Sequence, residues 1–383
     1  MSSIKLAFVT QFPVDTNRPF GGVEAVSVNL VNALSAYDEL DIQVVTLCTQ
    51  VKQITLEHWG RVTIHRLPKP QGSELVNAVT KSKKLVATYV QELEPSLIHV
   101  HDTYGIMLNS LSIPKVFTVH GFIYENTLFS GSRFCWLRSN IWKVIEQRSW
   151  AAQKNIISIS PYVREKISSV SSATIYDIEN PIFEDFFRVE RNEDKRIIFT
   201  SSMISPLKNT LILVKAVALL VKMGCKIELR IAGEIVDEEY AKTIINFINE
   251  NKISHNISFL GRLPVTEIRK ELGQAAIYAL ASLSENSPMG IAEAMAVGLP
   301  VVTSNRCGMP YMVRNGETGF LIDPTNEQYI ANKLKTILDD TELRIDMGKK
   351  AKELAFNLYH SKNVAKRTLS VYRELLENTN NTF

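Results

Sequence analysis

Residues 282–302 read SLSENSPMGIAEAMAVGLPVV, a stretch in which the signals for a helix and its limits stand close together. Ser287 followed by Pro288 predicts a helix start, with the serine hydroxyl as N-cap and the proline in the first helical position. Gly298 predicts the helix end, and Pro300 prevents its continuation. The stretch therefore predicts a helix of about three turns between two buried strands.

The N-terminus of this helix is a candidate anion site. It would present the N–H groups of Met289, Gly290 and Ile291, together with the positive end of the helix dipole, to a phosphate group. Glu285 lies just before the helix and Glu293 within it, so that two carboxylates would flank the phosphate and accept hydrogen bonds from sugar hydroxyls. The alternative is an ordinary cap with a solvated Glu293, although an idle carboxylate among alanines would be costly.

Length and composition are those of an ordinary globular protein with two domains. The chain has 383 residues, of which 45% are apolar and 22% charged, and its net charge is +3. Such a balance excludes a disordered or collagen-like protein and argues against a nucleic-acid partner. The four cysteines form no CxxC pair, which favours a reducing compartment, and we expect a cytoplasmic protein without a signal peptide or membrane span.

Short apolar runs alternate with amphipathic stretches in both halves of the chain, which predicts an α/β fold with two doubly wound, Rossmann-like domains. We place the domains at 1–185 and 186–360, with 180–195 as linker and a cleft between them as the default ligand site. The predicted strands are Lys5–Thr10, Ile42–Cys48, Val62–Leu67, Leu97–His101, Lys115–Val119, Asn155–Ile159, Arg196–Thr200, Lys226–Ile231, Asn256–Leu260, Ile277–Ala279, Pro300–Thr303 and Gly319–Ile322.

Several motifs resemble, in order, those of the group 1 (family 4) retaining glycosyltransferases, which have the GT-B fold. The pattern E-x7-E followed by AMAxGxPVV is the most specific of them. The others are Gly21-Gly22-Val23-Glu24, Thr118-Val119-His120-Gly121, Glu179-Asn180-Pro181, Ser205-Pro206-Leu207-Lys208-Asn209, Ala232-Gly233-Glu234 and Gly316-Glu317-Thr318-Gly319-Phe320. The resemblance implies an acceptor-side first domain, a nucleotide-sugar-binding second domain, and a final helix, 361–378, that packs back on the first domain.

Two of these motifs have a physical reason for binding a nucleotide sugar, and a third is assigned to the donor by the resemblance. Gly21 and Gly22 lack Cβ atoms and would let backbone amides approach a diphosphate, or would serve only a tight turn. Lys208 suits the β-phosphate of the leaving nucleoside diphosphate, whose charge grows in the transition state. The resemblance implies that His120, at a strand end, contacts the donor sugar.

The resemblance also assigns the two carboxylates and one basic loop. Glu285 would hold hydroxyls of the sugar, Glu293 the ribose hydroxyls, and the loop at Arg262 would pass the nucleotide base. Retention in this family is usually explained by attack on the face from which the leaving group departs, with its phosphate accepting the proton. The chain contains no DxD motif, so we expect neither a metal ion nor another cofactor.

Two departures from the family pattern keep an alternative open. The positions where the family often has an arginine are Ser202 and Met203, and Pro288 replaces a frequent glycine. A catalytically inactive sugar-nucleotide-binding or scaffold protein is therefore the second hypothesis. A nicotinamide oxidoreductase is disfavoured, because no GxGxxG follows Val9 and no acidic residue closes the second strand near Cys48.

Residues 134–150 combine aromatic and basic side chains. Such a helix would rest on anionic lipid, as a peripheral membrane contact suited to a lipid-linked acceptor. The alternative is a helix that packs Trp142 and Trp150 into the core of the first domain, and this interpretation is the favoured one.

Overall fold

The computed structural model describes residues 3–128 and 134–380. The chain packs as two compact units, one formed by the residues up to Pro181 together with those from Ser361 onward, the other by Ile182–His360. The second unit therefore begins within the stretch predicted as linker, of which residues 184–187 are helical and residues 194–195 already belong to a strand.

The first unit is built on one sheet, within the described residues, in the order β3-β4-β2-β1-β5-β6-β7-β8. The strands pair in parallel except β3, which is antiparallel to β4. Their bounds are β1 Ile4–Val9, β2 Leu40–Cys48, β3 Thr55–Trp59, β4 Val62–Pro68, β5 Leu97–His101, β6 Lys115–Val119, β7 Asn155–Ser158 and β8 Thr174–Asp177.

Helices cover both faces of this sheet. They are α1 Gly22–Leu34, α2 Glu74–Val79, α3 Lys81–Glu92, α4 Thr103–Leu108, α5 Ile123–Leu128, α6 Cys135–Ala151 and α7 Pro161–Ser168. Side chains alternate along β1, so that Leu6 and Phe8 pack in one apolar cluster and Ala7 and Val9 in another. Because both faces of the sheet are buried, its central strands are nearly all apolar.

The second unit has a parallel sheet in the order β11-β10-β9-β12-β13-β14. Numbered within the unit, this is the 3-2-1-4-5-6 order of the Rossmann fold, with the switch point between β9 and β12. The strands are β9 Asp194–Ser201, β10 Glu228–Ala232, β11 Ile257–Gly261, β12 Ala275–Leu280, β13 Val301–Ser304 and β14 Gly319–Ile322. The helices are α8 Glu184–Phe187, α9 Thr210–Lys222, α10 Glu238–Glu250, α11 Val265–Gln274, α12 Met289–Val297, α13 Glu327–Asp339 and α14 Thr341–Tyr359.

The last helix, α15 Ser361–Asn380, belongs to the first unit, where it packs against α1. Its Tyr372 is fully buried, and the tyrosine hydroxyl is 2.5 Å from Nδ1 of His99 on β5. An ion pair between Arg373 and Glu39 fixes the same helix at the surface. The helix is therefore attached through a polar contact inside the core as well as through apolar packing.

The Tyr372→Phe variant is expected to lower the free energy of unfolding by about 1–3 kcal/mol, because it leaves Nδ1 of a buried His99 without its hydroxyl partner. Urea unfolding monitored by circular dichroism measures the change. The matched control is Tyr329→Phe, which removes a hydroxyl from a side chain on the surface of α13. Equal stability of the Tyr372→Phe variant and the wild type would show that α15 does not depend on this contact.

Candidate functional site

The first group of predicted site residues lies at the switch point of the second unit, where the carboxyl ends of β9 and β12 adjoin. Lys208 follows β9 in a tight turn, in which its N–H donates to the Ser205 carbonyl at 3.1 Å. The next helix, α9, begins at Thr210, and its N-cap residue Asn209 adopts a left-handed conformation. The Asn209 amide donates to the carbonyls of Ala281 and Pro324, and so fixes the turn against the loop after β12.

Lys208 and Glu285 form an ion pair, and each side chain is only about 15% exposed. Glu285 also accepts a hydrogen bond from the Ser282 hydroxyl at 3.1 Å, and its carbonyl accepts from the N–H of Gly308 at 2.8 Å. The predicted phosphate-binding cation and the predicted sugar-binding carboxylate are thus neighbours. They would meet adjoining parts of one ligand.

Helix α12 begins at Met289, one residue later than predicted, with Pro288 as its N-cap. Ser287 is therefore not the N-cap residue, and its hydroxyl donates to the sulfur of Met312. The N–H of Ile291, predicted to face a ligand, donates to the Pro288 carbonyl at 3.2 Å. The N–H groups at the first two helical positions, Met289 and Gly290, have no preceding turn to bond.

Gly290 is needed for close packing rather than for backbone freedom. A Cβ atom at this position would lie 2.1 Å from the Tyr278 hydroxyl and 2.8 Å from Oγ of Ser201. These two hydroxyls are 3.2 Å apart and connect the ends of β12 and β9. The absence of a side chain at Gly290 therefore lets the start of α12 rest directly on the switch point.

Glu293 lies in the second turn of α12, partly exposed but crowded by protein atoms. This desolvation raises the pKa of its carboxyl to about 7. Within residues 3–128 and 134–380, no ion pair or hydrogen bond involves the Glu293 side chain. A carboxylate that is desolvated and without a protein partner suits the hydroxyl groups of a ligand.

Arg262 directly follows β11, the edge strand of the second sheet, and is exposed. One strand, β10, lies between this edge strand and β9, which forms the switch point with β12. The contact of the Arg262 loop with a nucleotide base stays a prediction.

In the first unit, the predicted glycine loop follows β1, beside the switch point between β1 and β5. Gly21 is the N-cap of α1 with an extended backbone, and open space surrounds the position that its Cβ would occupy. Gly22 is the first residue of the helix. The Glu24 carboxylate accepts from the N–H of Phe20 at 2.6 Å, which stabilises the entry into α1. The start of α1 is thus accessible to a ligand.

His120 follows β6 and is buried at the carboxyl end of the same sheet. Its Nε2 lies 3.1 Å from Nδ1 of His101, which is also 3.0 Å from the Thr10 hydroxyl. Burial lowers the pKa of His120 to about 4, and burial together with the neighbouring histidines keeps the pKa of His101 well below its usual value. Both imidazoles are therefore neutral at pH 7, and His120 would act as a hydrogen-bonding group rather than as a cation.

Two residues beside His120 were missed by the sequence reasoning. Asp102 accepts a hydrogen bond from the N–H of His120 at 2.9 Å and bonds the N–H of Gly121 as well. Its φ of +44° is a strained conformation for a residue with a side chain. The predicted strand ends at His101, and Asp102 follows it directly, in the run His-Val-His-Asp. Polar residues at the carboxyl end of a buried strand are typical of a ligand site, and this run could have identified both residues.

Helix α6 divides its aromatic residues between the core and the surface. Trp142 and Trp150 are 3% exposed and pack in the first unit, as the favoured interpretation predicts, whereas Trp136 is 60% exposed. The other exposed apolar side chains of the segment are Phe134, Leu137, Ile141 and Val144. The helix thus exposes several apolar side chains at the surface of the unit.

Comparison with known proteins identifies the family. Residues 181–354 match the model of the glycosyl transferases group 1, and residues 20–185 match that of Glycosyltransferase Family 4. The chain belongs to the group 1 glycosyltransferases. This glycosyltransferase is 23% identical over 364 residues to an uncharacterised glycosyltransferase of Methanocaldococcus jannaschii. The aligned region covers 93% of this chain and 95% of that protein.

Solved structures show the same fold. The glycosyltransferase superposes on sucrose-phosphate synthase from Thermosynechococcus elongatus with a TM-score of 0.83 and 18% identity, over 98% of this chain and 100% of that one. The TM-score with Anabaena HepE, solved in complex with UDP and glucose, is 0.73, with 17% identity over 97% and 100% of the two chains. The predicted fold class, two Rossmann-like units of the GT-B type, is confirmed.

Proposed function

We propose that this glycosyltransferase moves a hexosyl or N-acetylhexosaminyl group from a nucleoside-diphosphate sugar to a hydroxyl of a glycan or lipid-linked acceptor. The observation that carries the proposal is the cluster at the β9–β12 switch point, where Lys208, Glu285 and the N-terminus of α12 adjoin. A cation and a helix N-terminus suit a diphosphate, and a carboxylate suits sugar hydroxyls. The likeness to HepE, solved with UDP and glucose, supports the same donor class.

The proposed mechanism retains the configuration of the sugar. The acceptor hydroxyl attacks from the face on which the diphosphate departs, and a phosphate oxygen takes its proton. Lys208 and the N–H groups of Met289 and Gly290 stabilise the charge that grows on the leaving diphosphate, so that the proposal needs no metal ion. Neutral His120 hydrogen-bonds the sugar, and Glu293 holds the ribose hydroxyls.

Biosynthesis of a cell-surface polysaccharide or glycolipid is the proposed setting.

Thermal unfolding with UDP, GDP, ADP, dTDP or NAD, each with and without magnesium, tests the donor class. A ligand at a hundred times its dissociation constant adds about 2.7 kcal/mol to the free energy of unfolding. We expect one nucleoside diphosphate to raise the melting temperature equally with and without magnesium. A rise with NAD alone would overturn the proposal. Donor binding without transfer to any acceptor would favour the inactive sugar-nucleotide-binding protein, which the absence of a cation at Met203 motivates.

We further propose that the exposed face of α6 rests on an anionic lipid surface, at the cytoplasmic side of the membrane. Five apolar side chains of residues 134–144 are exposed, and the basic side chains of Arg138, Lys143 and Arg148 are exposed in the same segment, 134–150. The acidic residue of the helix, Glu146, is buried, where its carboxylate accepts from the N–H groups of Ile123 and Tyr124. No helix of the described residues is long and apolar enough to span a bilayer.

Cosedimentation with vesicles of phosphatidylcholine, with or without phosphatidylglycerol, checks this surface. We expect binding only to the anionic vesicles, and a loss of about fivefold when Lys143 is replaced by glutamine, since each cation near such a surface contributes about 1 kcal/mol. Trp136→Glu is expected to abolish binding, whereas Ile345→Glu, on an equally exposed residue of α14, leaves it unchanged. Equal losses for Trp136→Glu and Ile345→Glu would contradict the assignment.

A further inference from the structure

The ion pair between Lys208 and Glu285 joins the two side chains that the proposed function assigns to different parts of the donor. Without a ligand, the ammonium that would bind the β-phosphate is already occupied by the carboxylate that would bind the sugar. Both groups are largely shielded from water, and the Ser282 hydroxyl also donates a hydrogen bond to Glu285. Any diphosphate that binds Lys208 must therefore compete with Glu285.

The consequences of this competition differ for donor and product. The phosphates of a nucleoside diphosphate supply oxygens to Lys208, but they offer no hydrogen-bond donor to Glu285 and repel its carboxylate. Separating a shielded ion pair and leaving one charge without its partner is strongly unfavourable. A nucleotide sugar carries hydroxyl groups next to its diphosphate, so it replaces the partners of both side chains at once. The same ion pair thus opposes binding of the free diphosphate more than binding of the sugar-bearing donor.

We propose that Glu285, by competing for Lys208, makes the site select the sugar-bearing donor over the free nucleoside diphosphate and promotes release of that product. The inference rests on the proposed function and adds a second role to Glu285. It acts as a specificity determinant between substrate and product as well as a group that contacts the sugar.

Calorimetric binding to the wild type and to the Glu285→Gln variant tests the inference. The probes are the nucleoside diphosphate that stabilises the wild type, its glucose and N-acetylglucosamine conjugates, and the corresponding monophosphate. In Glu285→Gln we expect at least tenfold tighter binding of the diphosphate, no tighter binding of the sugar conjugates, and an unchanged affinity for the monophosphate, which lacks the β-phosphate. The matched control, Glu239→Gln, removes a carboxylate from the exposed ion pair with Lys242 in α10 and leaves all affinities as they are.

The Lys208→Gln variant provides the second arm, because it removes the group for which the two partners compete. In a Lys208→Gln background, Glu285→Gln is expected to strengthen diphosphate binding much less than it does in the wild type, so that the two substitutions are coupled. Weaker or unchanged diphosphate binding by a folded Glu285→Gln protein would overturn the inference. Sugar transfer by the wild type would still support the proposed function in that case. Failure of the wild type to bind any of the nucleotides would overturn both.

Discussion

Replacing Lys208 with alanine lowers the rate of sugar transfer by about 10²- to 10³-fold, the usual effect of removing one group that stabilises developing negative charge. The structure places this ammonium beside Glu285 and near the start of α12, where it is mostly shielded from water. Electrostatic stabilisation is stronger in such a setting than at an exposed site. The effect is therefore expected mainly in kcat rather than in the KM of the donor.

Release of nucleoside diphosphate from the donor in the presence of acceptor measures this effect. Lys242→Ala is the matched control, because it removes an exposed lysine whose ion pair lies on α10. The melting temperature of each variant separates a loss of catalysis from a loss of folding. A folded Lys208→Ala protein that transfers sugar at the wild-type rate would remove Lys208 from the mechanism.

Replacing Glu293 with glutamine is expected to weaken donor binding by about 10- to 100-fold, since a hydrogen bond to a charged group contributes about 1.5–3 kcal/mol. The pKa of Glu293 is raised to about 7 by desolvation, and only the ionised carboxylate accepts two ribose hydroxyls. Donor binding by the wild type should therefore strengthen as the pH rises through 7. Binding by Glu293→Gln should not share this dependence, whereas Glu353→Gln, on the exposed side of α14, should behave as the wild type.

Ionisation of the Glu293 carboxyl should strengthen donor binding, but it should lower the stability of the folded protein. In the unfolded chain this carboxyl titrates near 4.5, whereas desolvation raises its pKa to about 7 in the folded protein. Between these values the folded state binds more protons, so the contribution of Glu293 to the free energy of unfolding falls as the pH rises. Glu293→Gln should therefore raise the melting temperature at pH 8 but not at pH 4. An equal effect at both pH values would show that Glu293 is not desolvated.

The parallel sheets could be predicted from the sequence because their central strands are buried on both faces and therefore read as apolar runs. The structure has a strand at each predicted position, and the observed ends lie within two residues of the predicted ends. Two strands were not predicted, β3 and β8. Both lie at edges of the first sheet, and most of their residues are exposed or partly exposed, so they carry no apolar run.

The candidate site could be predicted where chemistry and chain position coincide, as at Glu285 and Lys208. Contacts that depend on how distant segments come together in the fold could not be predicted from the sequence. The ring of His101 meets that of His120 only because β5 and β6 end side by side, with His101 paired to Thr118. The ion pair of Lys208 with Glu285 likewise joins residues 77 positions apart, and their spacing carries no sign of it.

Sugar transfer itself is the most direct test of the account. The purified protein is incubated with UDP-, GDP-, ADP- and dTDP-hexoses and with glycan and lipid-linked acceptors, and nuclear magnetic resonance records the consumed donor and the anomeric configuration of the product. The account predicts consumption of the donors of one nucleotide, and a product with the same anomeric configuration as the donor. An inverted product, or no transfer from any of these donors to any acceptor, would contradict it.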